Sequence, residues 1–136
     1  PPLMLNEKRN LFKLFMGDTG LLCSACMENV QFEILNGDLQ INMGSILENA
    51  IAQQLKCNGF RLNYYDGKKT GEIDFVIQRN GKLIPIEVKS ADNTKAKSLK
   101  VYMDTYNPSY AIKLSAKNFG FEDDKKIVPL YATFCI

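Results

Sequence analysis

Two runs of alternating apolar and polar residues meet at Asn80-Gly81, and they organise the rest of the chain. The first is Gly71-Glu-Ile-Asp-Phe-Val-Ile-Gln-Arg79 and the second is Lys82-Leu-Ile-Pro-Ile-Glu-Val-Lys-Ser90. Asn-Gly between two such runs is the strongest two-residue hairpin signal. The tight turn predicts a register in which Arg79 faces Lys82, Ile77 faces Ile84 and Phe75 faces Ile86. Asp74 then faces Glu87, and Glu72 faces Lys89. Side chains alternate along a strand, so Glu72, Asp74, Glu87 and Lys89 share one face. The other face, with Ile73, Phe75, Ile77, Ile84, Ile86 and Val88, is apolar throughout and belongs to a core. Pro85 faces Val76 in a non-hydrogen-bonded pair, where its missing N–H points away from the partner strand.

Asp74 and Glu87 form a second non-hydrogen-bonded pair, the closer kind, with Cα atoms roughly 4.5 Å apart. Like charges held directly opposite one another destabilise a hairpin. A hard divalent cation between them removes the conflict. The alternative is a surface hairpin with a solvated Glu/Lys face.

Elsewhere the pattern predicts an extended stretch or short strand over residues 11–17, then a helix N-capped by Asp18 or Thr19 and carrying Leu21, Leu22 and Ala25. Residues 28–40 are ambiguous, with a short helix ending near Asn36-Gly37 as one reading. Apolar positions Ile46, Leu47, Ala50, Ile51 and Leu55 predict a helix over 42–57, closed by Asn58-Gly59. A strand follows at Arg61–Tyr65 and a polar turn at Asp66–Thr70. After the hairpin come a helix over Thr94–Tyr106, a strand at Tyr110–Ser115, a turn at Asp123–Lys126 and a last strand near Ile127–Tyr131. The segment from Ile84 through the 94–106 helix to Ile112 reads as a β-α-β crossover, which makes those two strands parallel. The fold class is α/β, a mixed β-sheet flanked by helices. The chain divides into an N-terminal strand/helix extension (residues 1–41), a core of α-β-β-β-α-β order (42–115) and a C-terminal strand (116–136).

Glu48 adds a further carboxylate. Gly44, Glu48, Ala52 and Leu55 share one helical stripe, small and apolar except for Glu48. Either Ser45-Ile-Leu-Glu48 is a capping box, or the helix starts near Asn42 and Glu48 projects onto the sheet face that holds Asp74.

Composition narrows the chemistry. With 136 residues, 46% hydrophobic and 24% charged, the chain is long enough for one domain with a sizeable core. Its net charge of +2 is too small to argue for a nucleic-acid partner alone. Histidine is absent, which excludes His-based triads and His metal ligands from this chain. Cys23-x-x-Cys26 lacks the second close pair a structural zinc site wants, so both read as small core residues. Free thiols suit a reducing compartment, hence the cytoplasm. No apolar run spans a membrane, and no signal peptide opens the chain. Gly67-Lys68-Lys69-Thr70 resembles the tail of a phosphate-binding loop, but Leu62 stands where its first glycine belongs.

Glu48 on a helix, Asp74 on a strand and Glu87-x-Lys89 on the next resemble the PD-(D/E)XK nuclease superfamily, whose fold is restriction-endonuclease-like. Four stretches are more specific: Phe15-Met-Gly-Asp-Thr-Gly-Leu-Leu22, Gly44-Ser-Ile-Leu-Glu-Asn-Ala50, Gly71-Glu-Ile-Asp-Phe-Val76 and Leu83-Ile-Pro-Ile-Glu-Val-Lys-Ser90. Together they resemble a domain of unknown function found behind the ATPase domain of bacterial and archaeal AAA+ proteins. The resemblance implies a covalently attached N-terminal ATPase domain, through which alone ATP would enter. That fits the Pro-Pro start and the missing phosphate-binding loop. It implies site residues Glu48, Asp74, Glu87 and Lys89. Relatives often carry an arginine soon after the aromatic pair Tyr64-Tyr65, where this chain has Asp66.

The chemistry expected is Mg²⁺- or Mn²⁺-dependent hydrolysis of phosphodiester bonds in nucleic acid, DNA first. Asp74 and Glu87, with the Val88 carbonyl and Glu48, would hold the metal. Lys89 would orient water or stabilise the phosphate. Lys68, Lys69, Lys95, Lys97 and Lys100 would meet a nucleic-acid backbone, or form a solvated basic face. Tyr64, Tyr65, Tyr102 and Tyr106 would stack on bases, or serve as core and boundary aromatics. The alternative function is a catalytically inactive nuclease-fold module that binds DNA or regulates the attached ATPase. A third reading is a protein-interaction domain that keeps the fold alone. The oligomeric state is left open.

Overall fold

A computed structural model describes residues 3, 7, 8, 10–26, 36, 43–67, 71–89 and 97–136. In chain order the elements are α1 (Thr19–Ala25), α2 (Met43–Cys57), β1 (Tyr65–Gly67), β2 (Gly71–Ile73), β3 (Phe75–Arg79), β4 (Lys82–Val88), α3 (Lys97–Tyr106), β5 (Ala111–Ser115), β6 (Gly120–Glu122) and β7 (Lys125–Pro129). A 3₁₀ helix, Leu130–Cys135, follows.

The architecture is mixed α/β. β3, β4, β5, β7 and β6 lie in that order in one sheet, and β1 pairs with β2 in a separate two-stranded ribbon. The β3–β4 hairpin has the predicted register, with Phe75 opposite Ile86, Val76 opposite Pro85 and Ile77 opposite Ile84. Asn80 and Gly81 both have positive φ, 51° and 74°, as a type I′ turn requires. Val76 N–H points away from β4 and donates to Asn63 O at 2.7 Å, so Pro85 costs that pair nothing. β4 and β5 are parallel, as the crossover through α3 demands, and β5 and β7 are parallel too.

Each face of the sheet has its own core. One joins Ile51, Ala52 and Leu55 of α2 to Phe75, Ile77, Ile84, Ile86, Ile112 and Leu114. The other joins Leu99 and Tyr102 of α3 to Ile73, Val76 and Ala111. α2 ends in a Schellman motif: Gly59 takes φ 84°, Gly59 N–H donates to Lys56 O and Phe60 N–H to Leu55 O, both at 3.0 Å. Phe60 then packs with Leu55 in the first core.

Several expectations need correction. The 71–79 run is not one strand but breaks at Asp74 into β2 and β3. The break inverts the alternation, so Ile73 lies in the α3-side core rather than beside Phe75. Glu72 faces Asp66 on β1, not Lys89. The expected strand at Arg61–Tyr65 is not regular before Tyr65. The last strand is Lys125–Pro129, preceded by an unexpected antiparallel partner, β6. α1 buries none of its residues, so Cys23 and Cys26 are half-buried surface thiols and not core. The ambiguous 28–40 region lies, Asn36 apart, outside the described residues, as does the start of the helix expected from Thr94.

Candidate active site

The break at Asp74 builds the site. A continuous strand would pair Ile73 with Val88 through backbone bonds. Instead Asp74 Oδ2 accepts from Val88 N–H at 2.7 Å. A side-chain carboxylate replaces the backbone carbonyl, which frees β2 to peel away and pair with β1. The acid therefore stays anchored to β4 next to Glu87 while leaving the ladder.

Glu87 is buried, with its side chain 6% exposed. Its Oε1 meets Lys89 Nζ at 2.9 Å, two residues along the same strand face. Its Oε2 is buried with no hydrogen-bond partner among the described residues. A buried carboxylate oxygen without a partner is costly and calls for an explanation.

Burial pushes the Asp74 carboxyl up to about 6. The Val88 N–H and the Lys13 charge oppose that rise, and the charges of Glu48 and Glu87 add to it. Glu48 is therefore near enough to Asp74 for its charge to be felt. Ser45 lies inside α2 rather than at its cap. The Glu48 carboxylate is paired with Lys13, whose Nζ lies 3.4 Å from Oε2.

Lys13 is the site residue that the sequence did not flag. Its ammonium also forms an ion pair with Glu72 and lies 5.4 Å from the centre of the Tyr64 ring. Burial lowers its pKa, but the Glu72 hydrogen bond and the charges of Glu48, Glu72 and Asp74 outweigh that and raise it. One signal was available. In an extended segment Lys13 and Phe15 share a side, and Phe15 packs on Phe75 with ring centres 5.6 Å apart, which carries Lys13 inward.

The segment is fastened by α2. Asn49 Oδ1 accepts from Met16 N–H at 2.7 Å, and its Nδ2 donates to Met16 O and to Thr19 Oγ1. Gln53 Oε1 accepts from both Thr19 N–H and Thr19 Oγ1–H. Asp18 caps α1 through Leu21 N–H at 2.8 Å.

The donor set suits a small hard cation. Among the described residues no three acidic or thiol side chains converge on one point, so an all-carboxylate cage is not preformed. Mg²⁺ does not require one, since it keeps several waters and is bound through one or two carboxylates. Asp74 and Glu87, whose Oε2 has no partner among the described residues, could form such a pair. Of the expected nucleic-acid lysines, Lys97 and Lys100 are exposed on α3, while Lys68, Lys69 and Lys95 lie outside the described residues. Tyr65, Tyr102 and Tyr106 form one cluster, with Tyr65 and Tyr102 centred 5.0 Å apart and Tyr102 and Tyr106 4.7 Å apart. Tyr102 is core, while Tyr106 is exposed.

No helix among the described residues is long and apolar enough to cross a membrane. Residues 43–133 match a family described as Domain of unknown function (DUF4143). No curated protein and no solved structure matches the chain.

Proposed function

The chain belongs to the DUF4143 family, and we propose that it is a nuclease-like domain that binds Mg²⁺ or Mn²⁺ and hydrolyses phosphodiester bonds in nucleic acid. The observation that carries this reading is the buried, partnerless Glu87 Oε2 beside Asp74. Desolvation raises the pKa of that neighbouring carboxyl, so both groups gain from a cation. Asp74 and Glu87 would hold the ion, with the Val88 carbonyl and Glu48 as further oxygen donors. A bound divalent ion supplies an activated water and neutralises charge on the phosphate. Lys89 already stands against Glu87. Its ammonium donates and cannot ligate, so its part is to hold the attacked phosphate or orient the water. The fold is then restriction-endonuclease-like, and the domain works joined to an AAA+ ATPase in the cytoplasm, with DNA as the first substrate class to try.

A second reading, a module that binds nucleic acid or regulates that ATPase without turnover, draws on one observation: Glu48 is engaged by Lys13 rather than by Asp74's neighbourhood. The two are separated by Mn²⁺ calorimetry together with a cleavage panel of single-stranded, duplex and branched DNA and RNA. Binding that is lost in Asp74→Ala, with cleavage, supports the enzyme. Binding without cleavage, in this chain alone and joined to an ATPase domain, leaves the module. An absence of Mn²⁺ and Mg²⁺ binding overturns the metal site itself.

A further inference from the structure

Resting on that reading of the metal site, we infer that Lys13 is a tethered cation that competes with the divalent ion, so that the strap formed by residues 11–19 sets the affinity of the site. Besides Lys89 on Glu87, the carboxylates at this end of the sheet already have a second cation among them. Lys13 Nζ bridges Glu48 and Glu72, and its charge bears on Asp74 as well. Glu72 faces Asp66 directly across the β1–β2 ribbon, an arrangement that like charges disfavour. Lys13 offsets it.

The strap is built to let go. None of its described backbone joins a sheet ladder. It is held by Asn49 and Gln53 side chains on Met16 and Thr19 and by Phe15 on Phe75. Lys13 itself is part-exposed, its side chain 25% accessible, with both of its carboxylate partners still more so. Such pairs are weakly held in water. A divalent ion brings twice the charge to the Glu48 carboxylate, the one partner of Lys13 among its proposed ligands, and has the advantage over one ammonium. With Lys13 seated, Glu48 is withheld from the ion. With Lys13 displaced, Glu48 is released toward Asp74.

The test is Mn²⁺ titration calorimetry on the wild-type chain and on Lys13→Met, Lys13→Arg, Gln53→Ala and Asp74→Asn, with circular dichroism to confirm folding. Lys13→Met should bind Mn²⁺ at least about tenfold tighter than wild type. Lys13→Arg should stay near wild type. Gln53→Ala, which loosens the strap without touching a carboxylate, should shift affinity the same way by a smaller factor, and it carries the test if Lys13→Met does not fold. Equal affinity in wild type, Lys13→Met and Gln53→Ala, with binding still lost in Asp74→Asn, overturns the strap and leaves the metal site standing. Silence from every variant overturns both.

Discussion

Two lysines serve the same acidic end of this sheet, and they do so in opposite ways. Lys89 directly follows the strand that carries Glu87, two residues on; its backbone N–H donates to Leu114 O at 2.8 Å and its ammonium meets Glu87 at 2.9 Å. Its backbone is tied to β5, so its side chain starts from a fixed point beside Glu87. Lys13 comes from a segment outside the sheet, 35 residues before Glu48 in sequence, and reaches its partners at the end of a flexible side chain. The first neutralises a buried acid, the second a half-exposed pair. A cation fixed by the fold belongs to catalysis or stability, whereas one delivered by a strap can be exchanged.

The largest break in this comparison is expected at Lys89. Lys89→Ala should lower phosphodiester turnover by about 10²–10³, the cost of removing one preorganised donor, while calorimetry still finds Mn²⁺ bound. Loss of Mn²⁺ binding in this variant would place Lys89 in the ion's support rather than in the reaction. Asn49→Ala comes next. It strips the buried side chain that holds Met16 and Thr19, so denaturant unfolding should show a loss of about 1–3 kcal/mol, with faster amide exchange at Met16.

Asp74 gives a smaller effect with a definite sign. Its folded pKa, about 6, lies above the ordinary 3.8, so the folded chain binds this proton more tightly than the unfolded one. The stabilisation is fully present below pH 4 and is lost as the pH rises through 6. Discounted for partial exposure, it amounts to on the order of 1–2 kcal/mol. Asp74→Asn keeps an acceptor for Val88 N–H and should lack that decline, so its stability relative to wild type should grow between pH 4 and pH 7 without metal. Parallel curves for the two proteins would remove Asp74 from the acidic cluster. The smallest effect is on the fold at Lys13: Lys13→Met should cost less than about 1 kcal/mol in the absence of metal, measured by urea denaturation at neutral pH.

The β3–β4 register was legible because Asn80-Gly81 admits few hairpin geometries and because a one-residue slip would expose Ile77, Ile84 and Ile86. The break at Asp74 was not. A carboxylate standing in for a carbonyl leaves the alternation of residue types untouched, and only the destination of Val88 N–H reveals it. The β6–β7 hairpin uses the same positive-φ turn geometry, at Asp123 and Asp124 with φ 46° and 58°. It lacks the glycine that announces such a turn, and β6 offers only three exposed residues. Glu48 stood out as a charge on an otherwise small and apolar stripe, Asp74 and Glu87 as like charges held opposite each other, and Lys89 as their neighbour on the same face. Lys13 did not, since its partners are remote in sequence and no spacing rule connects them.

The family match begins at residue 43, yet the strap that holds Lys13 precedes it. Lys13 thus lies before the stretch that the family match covers. If Lys13 competes with a metal as proposed, substitutions before residue 43 would retune how readily the site takes a cation while every carboxylate stays as it is. Two relatives with identical acidic residues can then differ in metal requirement, and the difference would be found in a segment that an alignment of the domain leaves out.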